Sequence, residues 1–203
     1  MKKEANLQSS VNTKTLAKVG VLSAVAAVIM ILEFPLPFAP SFYKLDFSEI
    51  PVLIGAFALG PIAGIAIEFI KILLNFVLNG TVTAGVGEIG NFLIGCSLVV
   101  PSAIIYRKNK TFKNAIVGLI VGIFSLAIVG AILNYFVLLP VYSTALGAPL
   151  QSFIDMGNVI NKYIVDLKTL VLYAVVPFNL VKGILVSAMT ILIYKKLSPI
   201  LHR

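Results

Sequence analysis

The chain has 203 residues, 59% of them hydrophobic and only 12% charged, with a formal charge of +8. Its mean hydropathy is +1.03, and several runs approach the roughly 20 apolar residues that cross a bilayer. A soluble enzyme or nucleic-acid binder is excluded: the chain reads as an all-α integral membrane protein, one domain over residues 1–203, with no nucleic-acid partner. The cations lie mainly in short polar stretches, where orientation in the membrane explains them. Cys96 is the only cysteine and His202 the only histidine, so neither an intrachain disulfide nor a His/Cys metal site is available.

In chain order, a polar start from Met1 to Thr15 precedes a long apolar run with no small-residue cleavage site, which predicts a retained helix. Six apolar helical segments follow, at about 15–33, 47–59, 61–79, 88–106, 114–138 and 168–196. The second is short: at 1.5 Å per residue it rises about 20 Å, less than a hydrocarbon core of about 30 Å. Gly60-Pro61 separates it from the third, and proline suits the first turn of a new helix. Charge fixes the count. With six crossings and both termini cytoplasmic, the inner side collects Lys2, Lys3, Lys14, Lys18, Arg107, Lys108, Lys110, Lys113, Lys195, Lys196 and Arg203, while Glu33, Asp46, Glu49, Glu88, Asp155 and Asp166 fall on the other. Five crossings would put Lys195 and Lys196 outside, against the positive-inside bias.

Two outer connections have character. Residues 34–46 carry three prolines and an aromatic-rich apolar sequence, which predicts an ordered cap loop. Residues 150–167 place Phe153, Met156, Ile160, Tyr163, Ile164 and Leu167 at helical spacing, predicting an amphipathic helix across the outer end. On the first helix, Gly20 with Ala24 and Ser23 with Ala27 form small-xxx-small pairs, spacing that lets helices approach closely, either within the bundle or at a dock for another membrane protein.

Polar groups inside these segments are the candidate site, because they are costly in hydrocarbon unless they face a partner, a cavity or a ligand. Asn179 and Lys182 share a face of the last helix, where Pro177 removes a hydrogen bond and frees the Tyr173 carbonyl. Glu68, Lys71 and Asn75 follow one face of the third helix, with Glu68 and Lys71 spaced for an ion pair. Asn91 lies between Gly87 and Gly95, and Asn134 lies four residues after Gly130. Amides plus one ammonium suit a flat, neutral molecule rimmed by carbonyl and ring N–H groups, and suit a polyanion poorly. No nucleotide-binding loop, zinc-protease motif or nucleophile elbow occurs, so no enzymatic activity is expected.

Three stretches, Leu45-Asp-Phe-Ser-Glu-Ile-Pro51, Leu133-Asn-Tyr-Phe-Val-Leu-Leu-Pro140 and Val176-Pro-Phe-Asn-Leu-Val-Lys-Gly183, resemble the riboflavin-specific S-components of energy-coupling factor (ECF) vitamin transporters. The resemblance runs from the first helix to Lys195 and implies a six-helix S-component bundle in the cell membrane. It also implies a pocket open to the outside under the loop between helices 1 and 2, riboflavin as transported ligand rather than cofactor, and a partner module of one membrane coupling subunit and two cytoplasmic ATPase subunits. By motif, Asn134, Asn179 and Lys182 look like isoalloxazine-binding residues, with Leu45 contributing from the loop and Asn91 and Asn75 by neighbourhood. The family's Ala-x-x-x-Ala docking motif is replaced here by Gly20-x-x-x-Ala24 and Ser23-x-x-x-Ala27. An S-component for another vitamin, or a stand-alone carrier coupled to protons through Glu68 or Glu88, are the alternatives.

Overall fold

The computed structural model describes residues 13–81, 83 and 85–201, with side chains described through Tyr194. Lys2, Lys3, His202 and Arg203, and the side chains of Lys195 and Lys196, lie outside the described residues. Helix α1 (Thr13–Ile31) leads into a two-stranded antiparallel ribbon of β1 (Phe34–Pro35) and β2 (Lys44–Leu45), with Phe34 opposite Leu45. Then come α2 (Glu49–Leu59), α3 (Pro61–Asn79), α4 (Val86–Lys108) and α5 (Phe112–Leu133). A π-turn (Asn134–Leu138) joins α5 to α6 (Leu139–Ala145), and α7 (Leu150–Ile160) lies beyond it. The last rod is α8 (Leu167–Leu170), a second π-turn (Val171–Val175) and α9 (Val176–Leu201).

Among the described residues, five helical rods are long and apolar enough to cross a bilayer, and α2 is a shorter apolar helix. Its shortness has a packing reason. Every residue from Glu49 to Phe57 is buried, so α2 is the central post of the bundle and is apolar all round because it is enclosed all round. Its Val52 and Leu53 form the core with Ile67, Leu98, Val99 and Val186 of the surrounding helices. The outward faces of the long rods carry exposed apolar side chains such as Ile62, Val77, Phe124 and Phe136, which only a lipid solvent accommodates.

Two expectations change in detail. The fifth segment does not stop at residue 138 but continues to Ala145, because the π-turn shifts the hydrogen-bond register just before Pro140, which has no N–H to give. The same device stands before Pro177. The 150–167 segment is not one helix: Tyr163 N–H donates to Asn161 Oδ1 (3.0 Å), and Asp166 caps the next helix through Thr169 N–H (2.7 Å). These turns end α7 at Ile160 and leave Tyr163 exposed while Ile164 is buried. The cap loop is ordered by the short ribbon and by the Lys44–Glu33 ion pair at its base.

Close helix contact uses glycine. A Cβ on Gly118 would lie 2.6 Å from the Ser102 carbonyl oxygen, and one on Gly122 would overlap Ser102 Oγ. The Gly118-x-x-x-Gly122 pair therefore seats α5 on α4, with Ser102 Oγ donating to Leu98 O (2.6 Å) and Gly118 O (3.1 Å).

Candidate functional site

The ends of α1, α3 and α6 and the starts of α2, α4 and α8 lie at one end of the bundle, together with the cap loop and α7. Phe42 and Tyr43 of the loop pack on each other (4.4 Å between centroids), Phe42 packs edge-on against Phe153 of α7, and Tyr43 lies 5.6 Å from Phe178 of α9. Leu45, Ala39 and Phe178 form a small buried cluster beneath. The loop is thus pinned by aromatic contacts to two other elements.

Under it the amides converge. Asn134 begins the first π-turn; its Nδ2 donates to Gly130 O (2.8 Å), and its Oδ1 accepts from Tyr43 Oη (2.8 Å). Asn179 follows the second π-turn, with Nδ2 donating to Val175 O (3.1 Å). A Cβ on Gly130 would lie 2.5 Å from Asn179 Nδ2, so both asparagines meet at that glycine from two different helices. Both are buried. π-turns concentrate at functional sites because they turn a side chain out of the regular helical register.

One turn beyond Asn179, Lys182 Nζ pairs with Asp46 Oδ2 at 2.9 Å, with both side chains largely buried. Asp46 Oδ1 also accepts the Ser48 N–H (2.8 Å), so one carboxylate turns the chain into α2 and ties the end of the loop to α9. Burial works to raise the Asp46 pKa, but the Lys182 and Lys71 ammonium groups beside it outweigh burial and hold it at about 2. Neither Asp46 nor Glu49 was singled out as a site residue by sequence; both stand inside the quoted Leu45–Pro51 stretch.

Asp46, Ser48, Glu49, Lys71, Asn91 and Lys182 border a cavity of about 20 Å³. That holds one water and no tricyclic ring, since pockets for ligands of that size run to roughly 300 Å³ or more. Leu45, Asn134 and Asn179 do not border it, and the Tyr43 hydroxyl occupies the acceptor oxygen of Asn134. Asn91 borders the cavity from α4 but is exposed on its other side. Asn75 is half-buried and does not border it. Lys71 pairs with Glu68, as its spacing predicts, and also with Glu49. Glu88 accepts from the hydroxyls of Thr81 and Thr83, which makes it a brace for the α3–α4 connection.

On α1 the two small-residue pairs separate. Ser23 and Ala27 are buried in the bundle, Ser23 Oγ donating to Val19 O (2.8 Å), and cannot receive a partner; packing against the bundle uses up their side of the helix. Gly20 and Ala24 are exposed, with nothing within 4 Å of a Cβ placed on Gly20.

Residues 14–194 match the family described as ECF transporter, substrate-specific component. The chain belongs to that family. It is 36% identical to the riboflavin transporter RibU of Staphylococcus aureus (strain TCH60), covering 100% of this chain and 98% of that protein. It is 37% identical to the riboflavin transporter FmnP of Bacillus subtilis (strain 168), covering 92% and 93%. A solved structure described as that of the S component of a bacterial ECF transporter superposes with a TM-score of 0.73 at 36% identity, over 94% of this chain and 99% of that one. The family's members are transporters rather than enzymes, in line with the sequence expectation.

Proposed function

We propose that this chain is the riboflavin-binding membrane subunit of an ECF importer, a single membrane domain that takes the vitamin from outside and delivers it inward when docked to an ATP-driven module. The observation that supports it is the meeting of Asn134 and Asn179 at Gly130, one turn from Lys182, beneath a loop that an aromatic latch holds shut. Isoalloxazine is planar, uncharged and edged by carbonyl and imide groups that amides and an ammonium satisfy. A site with such groups rejects a ligand that leaves them unpaired. The names of the relatives in Staphylococcus aureus and Bacillus subtilis agree with that ligand.

In this reading α2 counts as the sixth crossing, short because the protein surrounds it, and both termini face the cytoplasm. Leu45 shapes the floor of the loop, Asn91 forms the far wall, and Asn75 is an outlying member whose part depends on loop opening. Gly20 and Ala24 form the face that docks on the membrane coupling subunit, with two ATPase subunits beneath it. The purified chain should carry a flavin absorption band that survives washing, or regain it on adding riboflavin with a rise in melting temperature. A colourless protein whose melting ignores riboflavin would overturn the proposal.

A further inference from the structure

The buried charges around Lys71 take no part in the ligand reading, and they do not balance. Glu49 opens α2, while Glu68 and Lys71 lie one turn apart on α3. Lys71 Nζ is 2.9 Å from Glu49 Oε1 and 2.7 Å from Glu68 Oε1, with 1% of its side chain exposed. Gly95 of α4 provides the room: a Cβ there would lie 2.4 Å from Glu68 Oε1 and 3.0 Å from Glu49 Oε1. Two carboxyl groups thus converge on one ammonium and one glycine. Glu49 Oε2 and Glu68 Oε2 are buried with no hydrogen-bond partner.

The other charged and titratable groups facing this cluster are Asp46 from the loop, Cys96 from α4 and Lys182 from α9. Asp46 has its own partners in Lys182 and the Ser48 N–H. Lys71 has a single positive charge to share between two carboxylates. With every acid ionised, three carboxylates oppose two ammonium groups, and one negative charge is left over in the interior of a membrane protein. A surplus buried charge costs several kcal/mol, and the group that carries it neutralises instead.

We propose that Glu49 and Glu68 hold one exchangeable proton between them, a proton-binding site that makes the five-group cluster of Asp46, Glu49, Glu68, Lys71 and Lys182 electrically neutral. Two carboxyl groups in one dry site do not both ionise, and the proton belongs to the pair rather than to either residue. It also turns one of the orphaned oxygens into a donor. A metal cation has no place here, because the Lys71 ammonium already fills the gap between the carboxyl groups and the neighbouring cavity admits only about one water.

The test is infrared spectroscopy of the full-length, detergent-purified protein after any bound flavin has been stripped from it, so its result is independent of the ligand proposal. The wild type should show at neutral pH the carbonyl stretch of a protonated carboxylic acid, shifted in D2O. Glu68→Gln should abolish that band, because Glu49 alone then faces Lys71 as an ordinary ion pair, and the variant should melt like the wild type. Glu88→Gln should leave the band intact. Should Glu68→Gln fail to fold, Glu49→Gln takes its place, leaving Glu68 alone with Lys71 and removing the band in the same way. A wild type with no acid band at neutral pH overturns the proposal, as does a band that survives Glu68→Gln or melting that requires sodium.

Discussion

Lys182 pairs with Asp46 in the structure and binds ligand in the proposed site, and a pair of substitutions separates the two roles. Its ammonium lies 2.9 Å from Asp46 Oδ2, with side-chain exposures of 14% and 6%. Lys182→Met keeps the apolar stem but leaves the Asp46 carboxylate buried with the Ser48 N–H as its remaining direct partner. Breaking a buried pair in this way costs about 3–5 kcal/mol, most of it the penalty of the charge left behind. Asp46→Asn in the same chain removes that charge and keeps the side chain's shape, so the double variant should recover most of the melting temperature. It should not recover flavin affinity. If Lys182 donates to the ligand, riboflavin titrations followed by quenching of flavin fluorescence should remain weaker by about 1–3 kcal/mol, roughly 5–150-fold in Kd. A double variant that binds riboflavin like the wild type removes Lys182 from the site. A double variant that melts as low as Lys182→Met shows instead that the ion pair is not what the single substitution breaks.

Tyr43→Phe deletes the hydroxyl that bonds Asn134 Oδ1. In the proposed site the ligand takes that place, so riboflavin should associate faster and bind more tightly, by up to about 1 kcal/mol, in stopped-flow fluorescence; slower association would show that Tyr43 stays on Asn134 in the complex. Gly130→Ala places a methyl group 2.5 Å from Asn179 Nδ2, and the displaced amide should cost about 1–3 kcal/mol in flavin binding or stability, read by titration and melting. For acid, the sign follows from Asp46: its folded pKa of about 2 lies below the ordinary 3.8, so its contribution is complete above pH 3.8 and lost as pH falls through 2. The loss is on the order of 2 kcal/mol, and Asp46→Asn should flatten melting temperature against pH across that window.

The fold was legible where local signals are strong. Segment 61–79 is observed as Pro61–Asn79 because proline opens it and Gly80, at φ 69°, closes it in a backbone state open to glycine. The fourth segment extends two residues beyond expectation at each end, ordinary fraying of a boundary read from hydropathy. The π-turns were not legible, since a one-residue change of register leaves the apolar pattern intact. In the site, the Glu68–Lys71 pair followed from spacing within one helix, whereas Glu49–Lys71 and Asp46–Lys182 join residues 22 and 136 positions apart. Only the folded chain brings those together. The split on α1, with Ser23 and Ala27 inward and Gly20 and Ala24 outward, depends on helix rotation, which an evenly apolar helix does not encode.

The two asparagines show how a site can be built in lipid without destabilising the protein that carries it. Each amide is anchored on the carbonyl four residues earlier in its own helix, Gly130 for Asn134 and Val175 for Asn179, so neither depends on a ligand for its first hydrogen bond. The Asn134 side-chain oxygen, its remaining acceptor, accepts the Tyr43 hydroxyl from the loop. Opening the loop therefore uncovers an acceptor while the anchoring bond keeps the amide pointed in place. In the proposed site an incoming ring would meet side chains already oriented, the entropy of ordering them having been spent in folding rather than in binding. The same arrangement makes the lid informative: a molecule holds the loop shut from within only by replacing what Tyr43 gives up, and a ring without a donor at that edge leaves Asn134 buried and unsatisfied. In the proposed site, selection and closure would then be coupled through the Asn134 oxygen that Tyr43 now occupies.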